Sequence, residues 1–150
     1  MTIGVLLTIV GAAFAAILSG LGSAKAVGLV GNAAAGAISE DPTLFGKVLV
    51  LQILPGTQGL YGFLAAFMIM NNIAADMTLM TGLGYLAAAL PIGIVGYLSA
   101  MHQGRVAASG VSVVLKKPDQ NGKAIILAAM VETYAVLALL ISILLIGKVL

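Results

Sequence analysis

From Met1 to Ile38 the chain carries one charged side chain, Lys25. Three further stretches are nearly as bare. Leu44–Ala75 holds only Lys47, Leu79–Leu115 only Arg105 and His102, and Gly122–Leu150 only Lys123, Glu132 and Lys148. So few charges cannot dress a water-facing surface. Across the chain 61% of residues are hydrophobic and 8% charged, against about 25% charged in a soluble domain. A soluble enzyme and a disordered chain are both excluded. Cys is absent, which removes disulfides, thiolate metal sites and cysteine nucleophiles. A net charge of +2 is too thin for nucleic-acid binding.

The runs exceed strand length and lack strand alternation, and an open sheet edge cannot face lipid. The expectation is an all-α membrane protein with four transmembrane helices of roughly 20 or more residues each. Two polar turns with Pro, Ser39–Thr43 and Lys116–Asn121, close two hairpins. Asp76-Met77-Thr78 links them, dividing the chain into residues 1–75 and 76–150. Met1-Thr2-Ile3-Gly4 has no positive n-region, so the first run reads as a membrane helix rather than a signal peptide. Lys47, Lys116, Lys117 and Lys123 lie in or beside the intra-hairpin turns. The positive-inside rule places those turns in the cytoplasm and both termini outside, with Lys148 opposing weakly.

Shifting the chain by 76 positions superposes the hairpins without a gap. Gly20 falls on Gly96, Ser23 on Ser99, Gly28 on Gly104, Pro42 on Pro118, Lys47 on Lys123 and Thr57 on Thr133. This is a parallel tandem duplication, unlike the inverted repeat of many secondary transporters. Gly20, Ala24, Gly28 and Asn32, and likewise Gly96, Ala100, Gly104 and Ala108, recur four apart. Small residues at that spacing let membrane helices pack closely, either as an ordinary pair or as the inner wall of a ring.

Glu132 lies 14 residues past Pro118, about 21 Å along a helix. A carboxylate at that depth is costly and marks an ion or proton path. Gln103 stands 15 residues before the same turn, and Thr57 and Gln58 stand 15 and 16 past Pro42, at one level with it. Tyr61 follows Thr57 by four residues, on the same face. Hard cations take oxygen ligands, whereas a proton needs only the carboxylate, so the extra oxygens favour Na⁺ over H⁺. Pro55 and Gly56 kink the second helix, and the simple rule frees the Leu51 carbonyl. Gly56 is the counterpart of Glu132, so each chain carries one ion. Lys25 and Arg105 are near the same depth and must face elsewhere if Glu132 is to be neutralised by a carried ion. A lone His102 is no metal site, and no phosphate-loop pattern is present.

The segments Leu54–Phe63, Ala128–Ala135 and Ser19–Lys25 resemble the proteolipid, the rotor-ring component of K or c type, of bacterial V-type sodium-translocating ATPases. The resemblance covers nearly the whole chain. It implies a membrane ring of identical copies turning against a stator whose Arg meets Glu132. It also implies Na⁺ held by Glu132, Gln103, Thr57, Gln58 and the Leu54 backbone carbonyl, with Tyr61 bonded to the carboxylate. The chain then has no catalytic site of its own and no organic cofactor. A separate soluble head hydrolyses ATP, and central-stalk subunits meet the turns near Glu40–Gly46 and Lys116–Lys123. The implied location is the bacterial plasma membrane. The rivals are an H⁺-translocating ring and a small four-helix cation or drug exchanger; the latter needs an aromatic chamber, and 5% aromatic content without Trp argues against one.

Overall fold

The computed structural model describes residues 1–149. Its regular structure among those residues is all helical, with four spans long and apolar enough to cross a membrane: Ile3–Glu40, Pro42–Asn71, Leu79–Lys116 and Pro118–Val149. The first and third are single helices, α1 (Ile3–Glu40) and α4 (Leu79–Lys116), of 38 residues each, or about 57 Å long. The second is broken into α2 (Phe45–Ile53) and α3 (Thr57–Asn71) by a 3₁₀ turn at Leu54–Gly56. The fourth is α5 (Asn121–Val149).

The duplication extends to individual hydrogen bonds. The Thr2 hydroxyl caps α1 by accepting from the Val5 N–H, and its counterpart Thr78 caps α4 by accepting from Thr81. Each cap satisfies a backbone donor that has no partner inside the helix. At the far ends the N–H of Asp41 bonds to the Ala37 carbonyl, and that of Lys117 to Val113. Leu44 to Asp41 and Gln120 to Lys117 then close matching 3₁₀ turns, each begun by a Pro that needs no donor. In the first turn the Thr43 hydroxyl donates to the Asp41 carboxylate at 2.7 Å and the Thr43 N–H at 2.9 Å. The hydroxyl first, then the amide, hold the Asp41 carboxyl below its ordinary range. Lys47 Nζ donates to the Pro118 carbonyl at 3.1 Å, joining the two turns.

α1 and α4 pack along glycines. A side-chain carbon built on Gly22 would lie 2.7 Å from Tyr97 Cα, and one on Gly11 2.9 Å from Leu86 Cα. Close approach of this kind drives association in lipid, where burial of apolar surface adds little. α2 and α3 lie against α1, and α5 lies against α4. One core gathers Leu44, Val48, Leu51, Val111 and Val114 near the turns; the other gathers Ile69, Tyr85, Ile92 and Ile146 toward the termini. The site lies between them.

Pro91 stands inside α4. Proline removes a backbone donor and pushes aside the carbonyl one turn back. Two buried serines secure the next residue: Ser142 of α5 accepts from the Ile92 N–H at 3.2 Å, and Ser19 of α1 donates to the Ile92 carbonyl at 2.9 Å. No role for Pro91, Ser19 or Ser142 follows from hydropathy.

Candidate ion-binding site

Every residue expected at the site lies in one hydrogen-bonded chain across three helices. Tyr61 of α3 donates its hydroxyl to Glu132 Oε1 at 2.6 Å. Gln103 of α4 donates Nε2 to Glu132 Oε2 at 3.3 Å. Gln58 donates Nε2 to Gln103 Oε1 at 2.5 Å, and Thr57 donates to Gln58 Oε1 at 3.4 Å. The chain ends at the Leu54 carbonyl, which accepts from the Thr57 hydroxyl at 3.0 Å.

The Leu51 carbonyl expected from the simple proline rule is replaced by that of Leu54. The break at Pro55 is taken up by a 3₁₀ turn, and the Thr57 N–H bonds back to Leu54 rather than to Ile53. The rearrangement therefore falls one residue before the proline, turning the Leu54 carbonyl toward the Thr57 hydroxyl.

Gln58 and Gln103 are wholly buried, while Glu132 is half-buried. Around Glu132 the outer surface is apolar: Leu127, Met130 and Tyr134 of α5 and Leu60 and Phe63 of α3 are all exposed. The carboxylate therefore stands at the edge between the buried amides and an apolar exterior. Its hydrogen-bond partners are two neutral donors. Lys25 is exposed on α1, with its ammonium 5.6 Å from the centre of the Tyr97 ring and 3.4 Å from its hydroxyl. Arg105 and His102 are exposed on α4. Lys25 bonds away from the site, as neutralisation by a carried ion requires.

Two serines belong to the site beyond the residues that spacing singles out. Ser99 accepts from Gln58 Nε2 at 3.3 Å and donates to the Val131 carbonyl at 3.1 Å, tying the amide pair to the backbone beside Glu132. Its counterpart Ser23 accepts from the Gly59 N–H at 2.8 Å. In the sequence both stand out only as repeat matches, and that identity is the available signal. In the first hairpin the position matching Glu132 is Gly56, where an added carbon would meet nothing closer than Val27 at 3.7 Å.

Chemically the arrangement offers one carboxylate, one phenol, one aliphatic hydroxyl, two amide oxygens and one carbonyl. In the present hydrogen-bonded state the amides turn N–H groups toward the neighbouring oxygens. The donors are all oxygens, which suit a hard cation better than a soft transition metal; among the described residues no three His, Cys, Asp or Glu side chains come together.

The family model for the ATP synthase C subunit matches twice, over residues 10–69 and 86–145. Both bounds of the second match lie 76 positions beyond the first, the same offset that aligns the caps. The chain is 50% identical over 143 residues to the V-type sodium ATPase subunit K of Enterococcus hirae, covering 95% of this chain and 92% of that one. It is 41% identical over 136 residues to the A-type ATP synthase subunit K of Methanocaldococcus jannaschii, covering 91% of this chain and 60% of that one. It is 24% identical over 140 residues to the V-type proton ATPase 16 kDa proteolipid of Rattus norvegicus, covering 93% and 90%. With two matched copies of the family unit, four membrane-length helices and a single intramembrane carboxylate, the chain belongs to the ATP synthase C-subunit family.

Proposed function

We propose that this chain is the Na⁺-carrying rotor-ring subunit of a V-type rotary ATPase. The observation that carries the reading is the site itself: one half-buried carboxylate joined to five further oxygen-bearing groups, with only neutral donors bonded to it. A site for a proton alone has no use for the buried Gln58–Gln103–Thr57 array. The sodium named in the Enterococcus relative agrees with this.

The cycle runs on electrostatics. A bare carboxylate facing lipid is costly, and a bound Na⁺ offsets that cost. As the ion enters, Gln103 and Gln58 rotate their amides so that oxygen rather than nitrogen faces it, while Tyr61 keeps Glu132 Oε1 in place. The neutral unit then turns through the apolar surroundings. At the stator an Arg of the partner takes the place of the ion on Glu132 and releases it. ATP is hydrolysed in a separate head, whose stalk grips the turns near Glu40–Gly46 and Lys116–Lys123. Those turns lie on the cytoplasmic side of the bacterial plasma membrane, with the termini outside.

Glu132→Gln should abolish Na⁺ transport and carbodiimide labelling of the chain. Sodium pumping retained by that variant sinks the proposal. A proton-carrying ring instead predicts that Na⁺ at moderate pH gives wild-type Glu132 no protection from the reagent. A drug exchanger predicts a dimer rather than a large assembly in detergent.

A further inference from the structure

α1 packs on α4 and on α2 and α3, and α4 on α1 and α5, yet each helix keeps one open side. On α1 the covered side carries Gly4, Gly11, Gly22 and Ala26, and a carbon built on Gly104 would lie 2.7 Å from Ala26 Cβ. The opposite side of α1 is open. Leu6, Ile17 and Leu21 are 46%, 57% and 49% exposed, and a carbon added at Gly28 meets nothing within 4 Å. The side of α4 turned away from α1 is open too, with Met80, Ala87, Leu98 and His102 exposed.

The 76-residue repeat identifies what covers both. Leu6, Ile17, Leu21 and Gly28 are the counterparts of Gly82, Gly93, Tyr97 and Gly104, the α4 positions that hold α1. Met80, Ala87, Leu98 and His102 are the counterparts of Gly4, Gly11, Gly22 and Ala26, the α1 positions that hold α4. The joint within one chain thus continues from chain to chain, α4 of one copy against α1 of the next. The occupant is a second copy.

The two joints differ in size. Every small residue on the α1 side of the inner joint has a larger counterpart on α4: Gly4 becomes Met80, Gly11 Ala87, Gly22 Leu98 and Ala26 His102. The spacing of packed helices follows the side chains between them, so Leu98 forbids the backbone approach that Gly22 allows. We infer that the joint between copies is wider than the joint inside each chain, and that the His102 side chain of one copy fills the open seat over Gly28 of the next. The inference rests on the ring reading given above. A groove of about 430 Å³, lined by Val95, Leu98, Ser99, His102, Val131 and Tyr134, runs along this joint. It places the looser seam beside Ser99 and Val131, next to Glu132.

The test uses the full-length chain purified from membranes in detergent, with assembly mass as the first readout. Gly28→Leu fills the seat from a position whose added Cβ meets nothing within 4 Å in its own chain, and assembly should fall to single chains. Adding His102→Gly should restore it. A His102→Cys, Gly28→Cys protein, in a chain otherwise without Cys, should give a ladder of cross-linked multimers on mild oxidation. Full assembly of Gly28→Leu overturns the inference, as does loss of assembly that His102→Gly fails to restore. An assembled cysteine variant without a ladder overturns it too. If the unaltered chain itself forms no large assembly, the ring reading fails first.

Discussion

Replacing Gln103 by Leu separates a cation site from a proton site, because the proposed cycle asks Gln103 to exchange its donation to Glu132 for an oxygen turned to the ion. In the structure it donates to Glu132 at 3.3 Å, a long bond, and accepts from Gln58 at 2.5 Å. The proposed cycle has it supply an oxygen to the bound ion. Leu keeps the volume of this wholly buried side chain. A hydrogen bond to a charged group is worth about 1.5–3 kcal/mol, and an ion–amide contact is taken as comparable. Loss of that contact weakens the loaded state. Loss of the 3.3 Å donation, long for a charged bond, removes about 1 kcal/mol from the opposing hydrogen-bonded arrangement, so part of the effect cancels. The net cost is about 0.5–2 kcal/mol, or roughly 2- to 30-fold in Na⁺ affinity at about 1.4 kcal/mol per factor of ten. The assay is the Na⁺ concentration that half-protects Glu132 from carbodiimide in isolated membranes at fixed pH. Gln58 keeps Ser99 as a partner at 3.3 Å, so the fold should survive. Half-protection unchanged within about twofold would refute the ligand role of Gln103.

Further outcomes are expected. Ser99→Ala removes two neutral bonds, each worth about 0.5–1.5 kcal/mol, and should weaken Na⁺ protection several-fold without changing assembly mass. Gly22→Val drives side-chain carbon into the Tyr97 backbone at 2.7 Å and should abolish the folded chain, read as loss of monodisperse protein in detergent. Gly46→Ala meets nothing within 4 Å and should raise thermal stability slightly, by about 0.5–1 kcal/mol, because helical Gly is less favourable than Ala. The lowered Asp41 carboxyl supports its turn above the ordinary carboxylate range, and that support is lost as pH falls through the lowered value. Hydrogen exchange at the Thr43 amide should therefore lose protection in acid, and Asp41→Asn should remove that pH dependence.

The fold is legible in the sequence because lipid leaves few solutions. Charge-poor runs longer than any strand become helices, and Pro42 and Pro118 mark the turns that the structure shows as 3₁₀ caps. The level of the site is legible as well, since counting from those prolines puts Thr57, Gln58, Gln103 and Glu132 at one depth. Which way they face is less accessible. The simple proline rule favours Leu51 over Leu54 because it ignores the 3₁₀ turn that absorbs the Pro55 break. Ser99 escapes because a lone serine in a membrane helix says nothing until its partners are known. The Ile92 clamp depends on residues 73 and 50 positions away in sequence, beyond the reach of local pattern.

On the proposed reading, with Glu132 the one ion carrier of each chain, Gly56, the residue opposite it in the repeat, fixes a mechanical property of the assembled rotor. Had both hairpins kept a carboxylate, one revolution would carry two ions for each chain; with one, it carries half as many. The work delivered by the motor per revolution is divided among the ions carried. Halving their number doubles the electrochemical gradient against which each can be driven. A glycine in place of an acid is thus a choice of gear, trading ions moved per turn for the steepness of the gradient the rotor can climb.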